Sequence, residues 1–161
     1  MQEIINRLLP IKTERLVIRK TTKNDIDFIL KIDKQEDTQK YLGGIKNKTR
    51  EERLIFLEKK EQGSSLTVYL NDVPIGFFGI KVNLDSAELS YIFDSDYTCK
   101  GYCTEVVKEA IDISFNKLKL NKLYAYCKEE NIASIKVLEK NGFKENGTKD
   151  EFIYYELRKE V

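Results

Sequence analysis

The sequence predicts one mixed α/β domain. Three observations carry that reading: short strand-like apolar runs, longer segments with apolar residues at helical spacing, and a strand, helix and second strand in succession between Ala87 and Cys127. Arg15-Leu16-Val17-Ile18-Arg19 reads as the first strand. Thr22 then stands before Asp25, Ile26, Phe28, Ile29 and Ile32 as the cap of a helix, which Tyr41-Leu42-Gly43-Gly44 breaks. Thr49 opens a second helix, with Arg53, Leu54, Phe56 and Leu57 along one side and Gly63 as its stop.

Two strands follow, Leu66 to Leu70 and Ile75 to Val82, joined through Asn71-Asp72-Val73-Pro74 as a hairpin. Ala87 to Phe93 is another strand, with Leu89, Tyr91 and Phe93 on one face and Glu88, Ser90 and Ile92 on the other. From Thr104 to about Leu118 the apolar residues, Val107, Ala110, Ile111 and Phe115 among them, form one helical stripe, and Lys122 to Cys127 returns as a strand. Asn131 caps a last helix that Asn141-Gly142 ends, and Phe143 to Glu145 with Phe152 to Leu157 close the sheet.

Composition narrows the function classes. A formal net charge of +1 gives no long-range field of one sign, which argues against nucleic acid or an acidic membrane surface as a partner. Met1 to Pro10 lacks the apolar core of a signal peptide, and no stretch is long enough to cross a bilayer, so a cytoplasmic location is expected. The three cysteines, Cys99, Cys103 and Cys127, fit no CxxC spacing, and with no histidine in the chain a metal site is not expected. The missing histidines also remove the commonest general base, leaving Glu, Asp, Tyr or water.

The most informative segment is Tyr91-Ile92-Phe93-Asp94-Ser95-Asp96-Tyr97-Thr98-Cys99-Lys100-Gly101-Tyr102-Cys103-Thr104-Glu105. A strand passes through a short glycine-containing loop directly into an amphipathic helix, a junction that presents unpaired main-chain N–H groups to an anion. Gly101 lets a diphosphate approach, the helix dipole favours its charge, and Lys100 adds a cation beside it.

This segment resembles the acetyl-CoA signature of the GNAT acetyltransferases, particularly the branch of the ribosomal-protein alanine acetyltransferases RimJ and RimL. Thr13 to Arg19 resembles that branch's opening strand, and Asn131 to Phe143 its late cofactor-side helix. The likeness runs from about Lys12 to Leu157. It implies one GNAT-type domain over residues 1–161: a mostly antiparallel twisted sheet of about seven strands with a splayed parallel pair, flanked by about four helices. Thr98 and Cys103 depart from the residues common at their positions in the family.

The resemblance also implies a reaction and a site. Acetyl-CoA is the cosubstrate, and a neutral primary amine attacks its thioester directly. Ile92 and Phe93 offer main-chain hydrogen bonds to the pantetheine arm, with the Phe93 N–H facing the oxyanion. Thr98, Cys99, Lys100, Gly101, Tyr102, Cys103 and Thr104 surround the pyrophosphate. Cys103 is small enough to fit beneath it; a thiol pKa lowered by the nearby helix N-terminus would give it a redox role, the weaker reading, against a packing role. Asn131 binds a pantetheine amide or caps its helix, and Lys136 approaches the phosphates.

Glu88 is the candidate base, matching an acidic residue frequent in that branch, against a solvated strand-end carboxylate. Ser134 is the candidate hydrogen-bond donor to the departing thiolate, against an ordinary helix-surface serine. Tyr41, Phe56, Tyr69 and Phe78 are candidate walls of the acceptor pocket, against a role in the core. A homodimer follows by analogy alone. The acceptor stays open between a protein N-terminus and a small polyamine or aminoglycoside-like amine. A catalytically idle acyl-CoA sensor is the competing reading, and an interaction domain without ligand is the weakest.

Overall fold

The computed structural model describes residues 2–59 and 65–161. Eight strands form one sheet: β1 (Ile11–Lys12), β2 (Val17–Lys20), β3 (Ser65–Leu70), β4 (Val73–Asn83), β5 (Ser86–Phe93), β6 (Lys122–Lys128), β7 (Lys144–Lys149) and β8 (Phe152–Arg158). Their order is β1-β2-β3-β4-β5-β6-β8-β7, and every neighbouring pair is antiparallel except β5 with β6. The helices are α1 (Gln2–Leu8), α2 (Ile26–Asp33), α3 (Glu36–Gln39), α4 (Arg50–Lys59), α5 (Tyr102–Asp112) and α6 (Ile132–Lys140). This is the expected mixed α/β architecture, enlarged by the two-residue β1 and the two short helices α1 and α3. Among the described residues no helix is long and apolar enough to cross a membrane.

The main core lies between one face of the sheet and the helices α5 and α6. Val106, Val107 and Ala110 of α5 and Leu138 of α6 are buried with Phe78, Ile80, Leu89 and Phe93 of the sheet. A fully buried side chain of this size contributes roughly 1.5–3 kcal/mol relative to exposure, so the apolar stripe of α5 fixes the helix against the strands. Ile5 of α1 joins the same core at 1% exposure. On the opposite face α2 packs through Phe28, whose ring lies 5.0 Å from that of Phe77.

Local chemistry explains the element boundaries. Thr22 caps as expected: its hydroxyl accepts from the Asn24 N–H, and the Asp25 carboxylate accepts from the Thr22 N–H at 2.9 Å. The helix that follows does not run on to Tyr41 but ends at Asp33, and α3 forms separately. Gln35 between them is extended, which delivers its side chain to Asp94 at 3.0 Å and to the Ser95 N–H at 2.9 Å. Thr49 accepts from the Glu52 N–H at the start of α4, while the expected stop at Gly63 lies outside the described residues.

The loop between β5 and α5 is held from both ends by other parts of the chain. At its start the buried Asp94 carboxylate receives Lys31 Nζ at 2.6 Å and the Gln35 amide. Burial opposes that charge, but Lys31, the Asp96 N–H and Gln35 together hold the carboxyl below its ordinary range. At its end Glu105 accepts from the Thr13 hydroxyl, from the Arg15 N–H at 2.9 Å and from Arg15 Nε at 2.7 Å. The same guanidinium donates to the Lys100 carbonyl at 3.2 Å and lies 4.5 Å from the Tyr102 ring centre.

Two predictions follow from these contacts. A Cβ added at Gly76 would lie 2.8 Å from Phe93 Cδ1 and 2.9 Å from the Ile92 carbonyl oxygen, so Gly76→Ala is expected to destabilise by about 1–3 kcal/mol in denaturant unfolding. For Glu105, burial works against the charge but its hydrogen bonds from Thr13 and Arg15 prevail, and the folded pKa is depressed. Its contribution is therefore complete above the unfolded value of about 4.3 and vanishes as pH falls through the folded value. The stability gap between wild type and Glu105→Gln should be constant above about pH 5.5 and close on acidification. A gap that widens in acid would contradict the contact.

Candidate active site

Pairing between β5 and β6 covers only Ser86↔Lys122, Ala87↔Leu123 and Glu88↔Tyr124. Beyond Glu88 the two strands part, and a groove of about 420 Å³ opens between them. Its walls include Glu88, Ser90 and Tyr91 of β5, Tyr126 of β6, and Asn131 and Ser134 at the start of α6. The expected splayed parallel pair is thus present, and the groove runs through the sheet rather than along one face.

The β4–β5 register decides which main-chain groups of β5 point into the groove. The Asp94 N–H donates to the Ile75 carbonyl at 2.9 Å, and antiparallel hydrogen-bonded pairs alternate from there. Ile92 opposite Phe77 therefore turns its polar groups toward β4. Tyr91 and Phe93, opposite Phe78 and Gly76, turn theirs toward β6 and the groove. This corrects the expectation that Ile92 supplies main-chain groups there, because its parity spends them on the sheet. The main-chain groups that do turn toward the groove are those of Phe93 and Tyr91.

At the far end of the loop Gly101 has φ +81°, the left-handed conformation, and serves as the cap of α5 with no side-chain hydrogen bond. The first intrahelical bond is Glu105 N–H to the Gly101 carbonyl at 3.0 Å. The N–H groups of Tyr102, Cys103 and Thr104 accordingly have no partner within the helix and form an anion-binding end. Lys100 is exposed, with Nζ 5.7 Å from the Tyr97 ring centre. Thr98 donates to the Ser95 carbonyl at 3.0 Å, and Cys99 itself has φ +60°. Lys136 is exposed on α6 and is not part of the groove wall.

Cys103 packs against the main core, and burial pushes its thiol up. That direction and the core contacts fit the packing role rather than the redox one. Asn131 caps α6 as expected, its Oδ1 accepting from the Ser134 N–H at 3.3 Å. Ser134 Oγ lies 3.0 Å from the Tyr91 hydroxyl within the groove.

The four candidate acceptor walls separate. Tyr41 lines the groove together with Glu88. Phe56 lines a second cavity of about 660 Å³ that abuts Ile92 and Phe77 on the α2–α4 side of the sheet. Tyr69 and Phe78 line neither of these two cavities. Phe78 is 3% exposed and belongs to the core on the other face; the alternation of β4 presents its neighbour Phe77 to the cavity instead. The Tyr69 hydroxyl is bound to Asp25, and Arg19 sits over its ring.

Sequence reasoning placed no role on Arg15, Glu105, Lys31 or Asp94. The only signal was their charge within segments otherwise read as strand, loop or helix, and the pairs Arg15–Glu105 and Lys31–Asp94 are separated by 90 and 63 residues. Among the described residues no group of His, Cys, Asp and Glu is arranged to hold a metal.

Comparison with known proteins agrees with this geometry. Residues 15–144 match the family model described as the acetyltransferase (GNAT) domain. The chain is 25% identical over 146 residues to the uncharacterised N-acetyltransferase YnaD of Bacillus subtilis, covering 85% of this chain and 84% of that one. It superposes on the GNAT-family acetyltransferase from Bacillus anthracis with a TM-score of 0.82 and 26% identity, covering 92% of this chain and 97% of that one. The fold is also that of spermidine N-acetyltransferase from Vibrio cholerae, solved with CoA and spermine, at a TM-score of 0.75 and 21% identity over 88% and 93% of the two chains. The matched family model, the parted strands and the uncapped helix behind Gly101 agree, and the chain belongs to the GNAT acetyltransferase family, enzymes that pass the acetyl group of acetyl-CoA to an amine.

Proposed function

We propose that the chain is a RimJ/RimL-like N-acetyltransferase that acetylates a singly charged primary amine, either a protein N-terminus or a small amine. The groove opening past Glu88 and Tyr124 carries this reading, since it brings a strand edge, a helix N-terminus and candidate side chains to one place. The Phe93 and Tyr91 main chain pairs with the pantetheine arm, and the N–H groups of Tyr102, Cys103 and Thr104 receive the pyrophosphate beside Lys100. The free amide of Asn131 faces the same arm, and Thr98, Cys99 and Lys136 belong to the outer phosphate surroundings.

The amine must arrive neutral, although an α-amino group has a pKa of about 8 and a lysine about 10.4. Glu88 takes that proton and passes it to solvent, directly or through water, from the face of β5 opposite Tyr91, and the nitrogen loses its surplus proton by the same route once the C–N bond has formed. The Phe93 N–H holds the oxyanion of the tetrahedral intermediate. The Ser134 hydroxyl donates to the CoA sulfur as the C–S bond breaks and its electron pair moves to sulfur.

The acceptor enters from the side of α2 and α4, between Tyr41 and the cavity wall that holds Phe56. That cavity is lined by Ile29, Ile32, Leu54, Leu57 and Phe77, and its charged wall residues are Lys20, Lys23 and Arg53 against Asp33 and Glu58, with Asp33 engaged by Arg53 at 2.5 and 2.7 Å. A wall with no excess of acid does not reward a second cation, which favours an apolar monoamine or peptide end over a polyamine or an aminoglycoside. The reaction belongs in the cytosol, where the unpaired Cys99, Cys103 and Cys127 stay reduced. By analogy with the family, the reading extends to a homodimer.

Thiol release from acetyl-CoA with a panel of amines tests the activity. Peptides with small N-terminal residues should exceed spermidine in kcat/KM by at least tenfold, an order of magnitude set by one mismatched charge. A preference for spermidine would reverse the acceptor assignment, and acetyl-CoA binding without thiol release for any amine would favour an acyl-CoA sensor. Glu88→Gln should lower kcat/KM about 100-fold at neutral pH. An unchanged kcat/KM would leave the proton to water alone.

A further inference from the structure

We propose that Tyr91 is a positioning residue for departure of the CoA thiolate, holding the Ser134 hydroxyl so that its proton points into the groove. The inference rests on the reading that Ser134 serves the sulfur, and adds the group that orients it. Tyr91 lies on the face of β5 that looks toward α6, and both side chains line the groove where β5 and β6 have parted. The phenol oxygen is 3.0 Å from Ser134 Oγ and 3.4 Å from the Ser134 carbonyl oxygen.

Counting protons decides what this pair can do. The phenol and the hydroxyl carry one proton each, and each oxygen also accepts. If Tyr91 donates to the carbonyl, Ser134 donates to Tyr91 and turns only lone pairs to the groove, where they repel a thiolate. If Tyr91 donates to Ser134 Oγ, across the shorter contact, the serine proton is released toward the sulfur. Growing negative charge on sulfur selects the second arrangement.

A serine in the first turn of a helix has a competing option, since its hydroxyl readily donates back to a carbonyl one turn earlier. A phenol donating into Oγ constrains that rotor from the groove side. Burial, followed by the neighbouring Cys103, pushes the Tyr91 phenol up, with the Ser134 contact acting in the other direction. Tyr91 therefore keeps its proton throughout turnover. The thiolate leaves stabilised by the serine O–H and takes its final proton from solvent.

A double-mutant cycle with Tyr91→Phe and Ser134→Ala tests the assignment, with kcat measured by thiol release at saturating acceptor and acetyl-CoA affinity measured by calorimetry. Tyr91→Phe should lower kcat about tenfold, the order of one hydrogen bond, with acetyl-CoA Kd and KM changed less than twofold. In the Ser134→Ala background the same change should alter kcat by less than twofold. An equal loss in both backgrounds would overturn the role of Tyr91 while leaving that of Ser134. A Ser134→Ala enzyme with unchanged kcat would overturn both. A rise in Kd for Tyr91→Phe with no change in kcat would show that the phenol only shapes the groove, and would also overturn the proposal.

Discussion

Everything in the site depends on where β5 and β6 stop pairing. Three residues of each strand are joined, and past Glu88 and Tyr124 the strands diverge while each remains held by its outer neighbour, β4 or β8. Because β5 stays registered on β4 to Phe93, its exposed edge is rigid, and its unpaired N–H and C=O groups sit at fixed spacing. A sheet edge inside a protein is ordinarily a liability, since its polar groups lack partners. Here an extended ligand rich in amides can occupy the missing strand's place.

The anion-binding end of the site is organised by charge pairs that do not themselves face the groove. Lys31 and Gln35 reach the loop from α2 and its C-terminal side and fix Asp94, while Arg15, from just before β2, fixes Lys100 and Glu105. Both carboxylates are buried enough that losing a partner would leave a costly charge, so the contacts restrict the loop to one arrangement. Main-chain donors bind a diphosphate well only if their directions are set beforehand, because ordering a flexible loop at the moment of binding costs conformational entropy. Gly101 completes the arrangement by taking the left-handed turn into α5, with the Arg15 guanidinium only 3.3 Å from where a Cβ would stand.

Much of this was legible in the sequence wherever the determining interaction is local. Thr22 and Asn131 cap helices because their side chains reach N–H groups two or three residues ahead, and Gly101 marks a helix start because the turn demands it. The strand, loop and helix from Tyr91 to Glu105 were readable for the same reason. What escaped was set by partners far along the chain. Whether Ile92 or Tyr91 faces the groove depends on the β4–β5 register, and whether Phe77 or Phe78 meets the cavity depends on which face of β4 is covered by α5. For Cys103, proximity to a helix N-terminus is visible in sequence, whereas the core contacts that fit its packing role are set by distant residues. Arg15 and Glu105 could not be joined by spacing at all.

The same alternation that misled the reading of Ile92 also separates the candidate side chains. Successive side chains of β5 leave the strand on opposite faces, so Tyr91 meets Ser134 on the α6 side while Glu88 and Ser90 face the side of Tyr41. In the proposed reaction a thioester lying along this edge would have its leaving sulfur served from one face and its attacking amine from the other. That separation would suit an enzyme without histidine, because the proposed acceptor of the amine proton and the proposed donor to the thiolate are distinct groups in distinct environments. A one-residue slip of β5 against β4 would exchange the two faces and turn Gly76 away from Phe93. The close Gly76–Phe93 approach therefore acts beyond its own packing: it holds the register on which the proposed division of roles between the two faces depends.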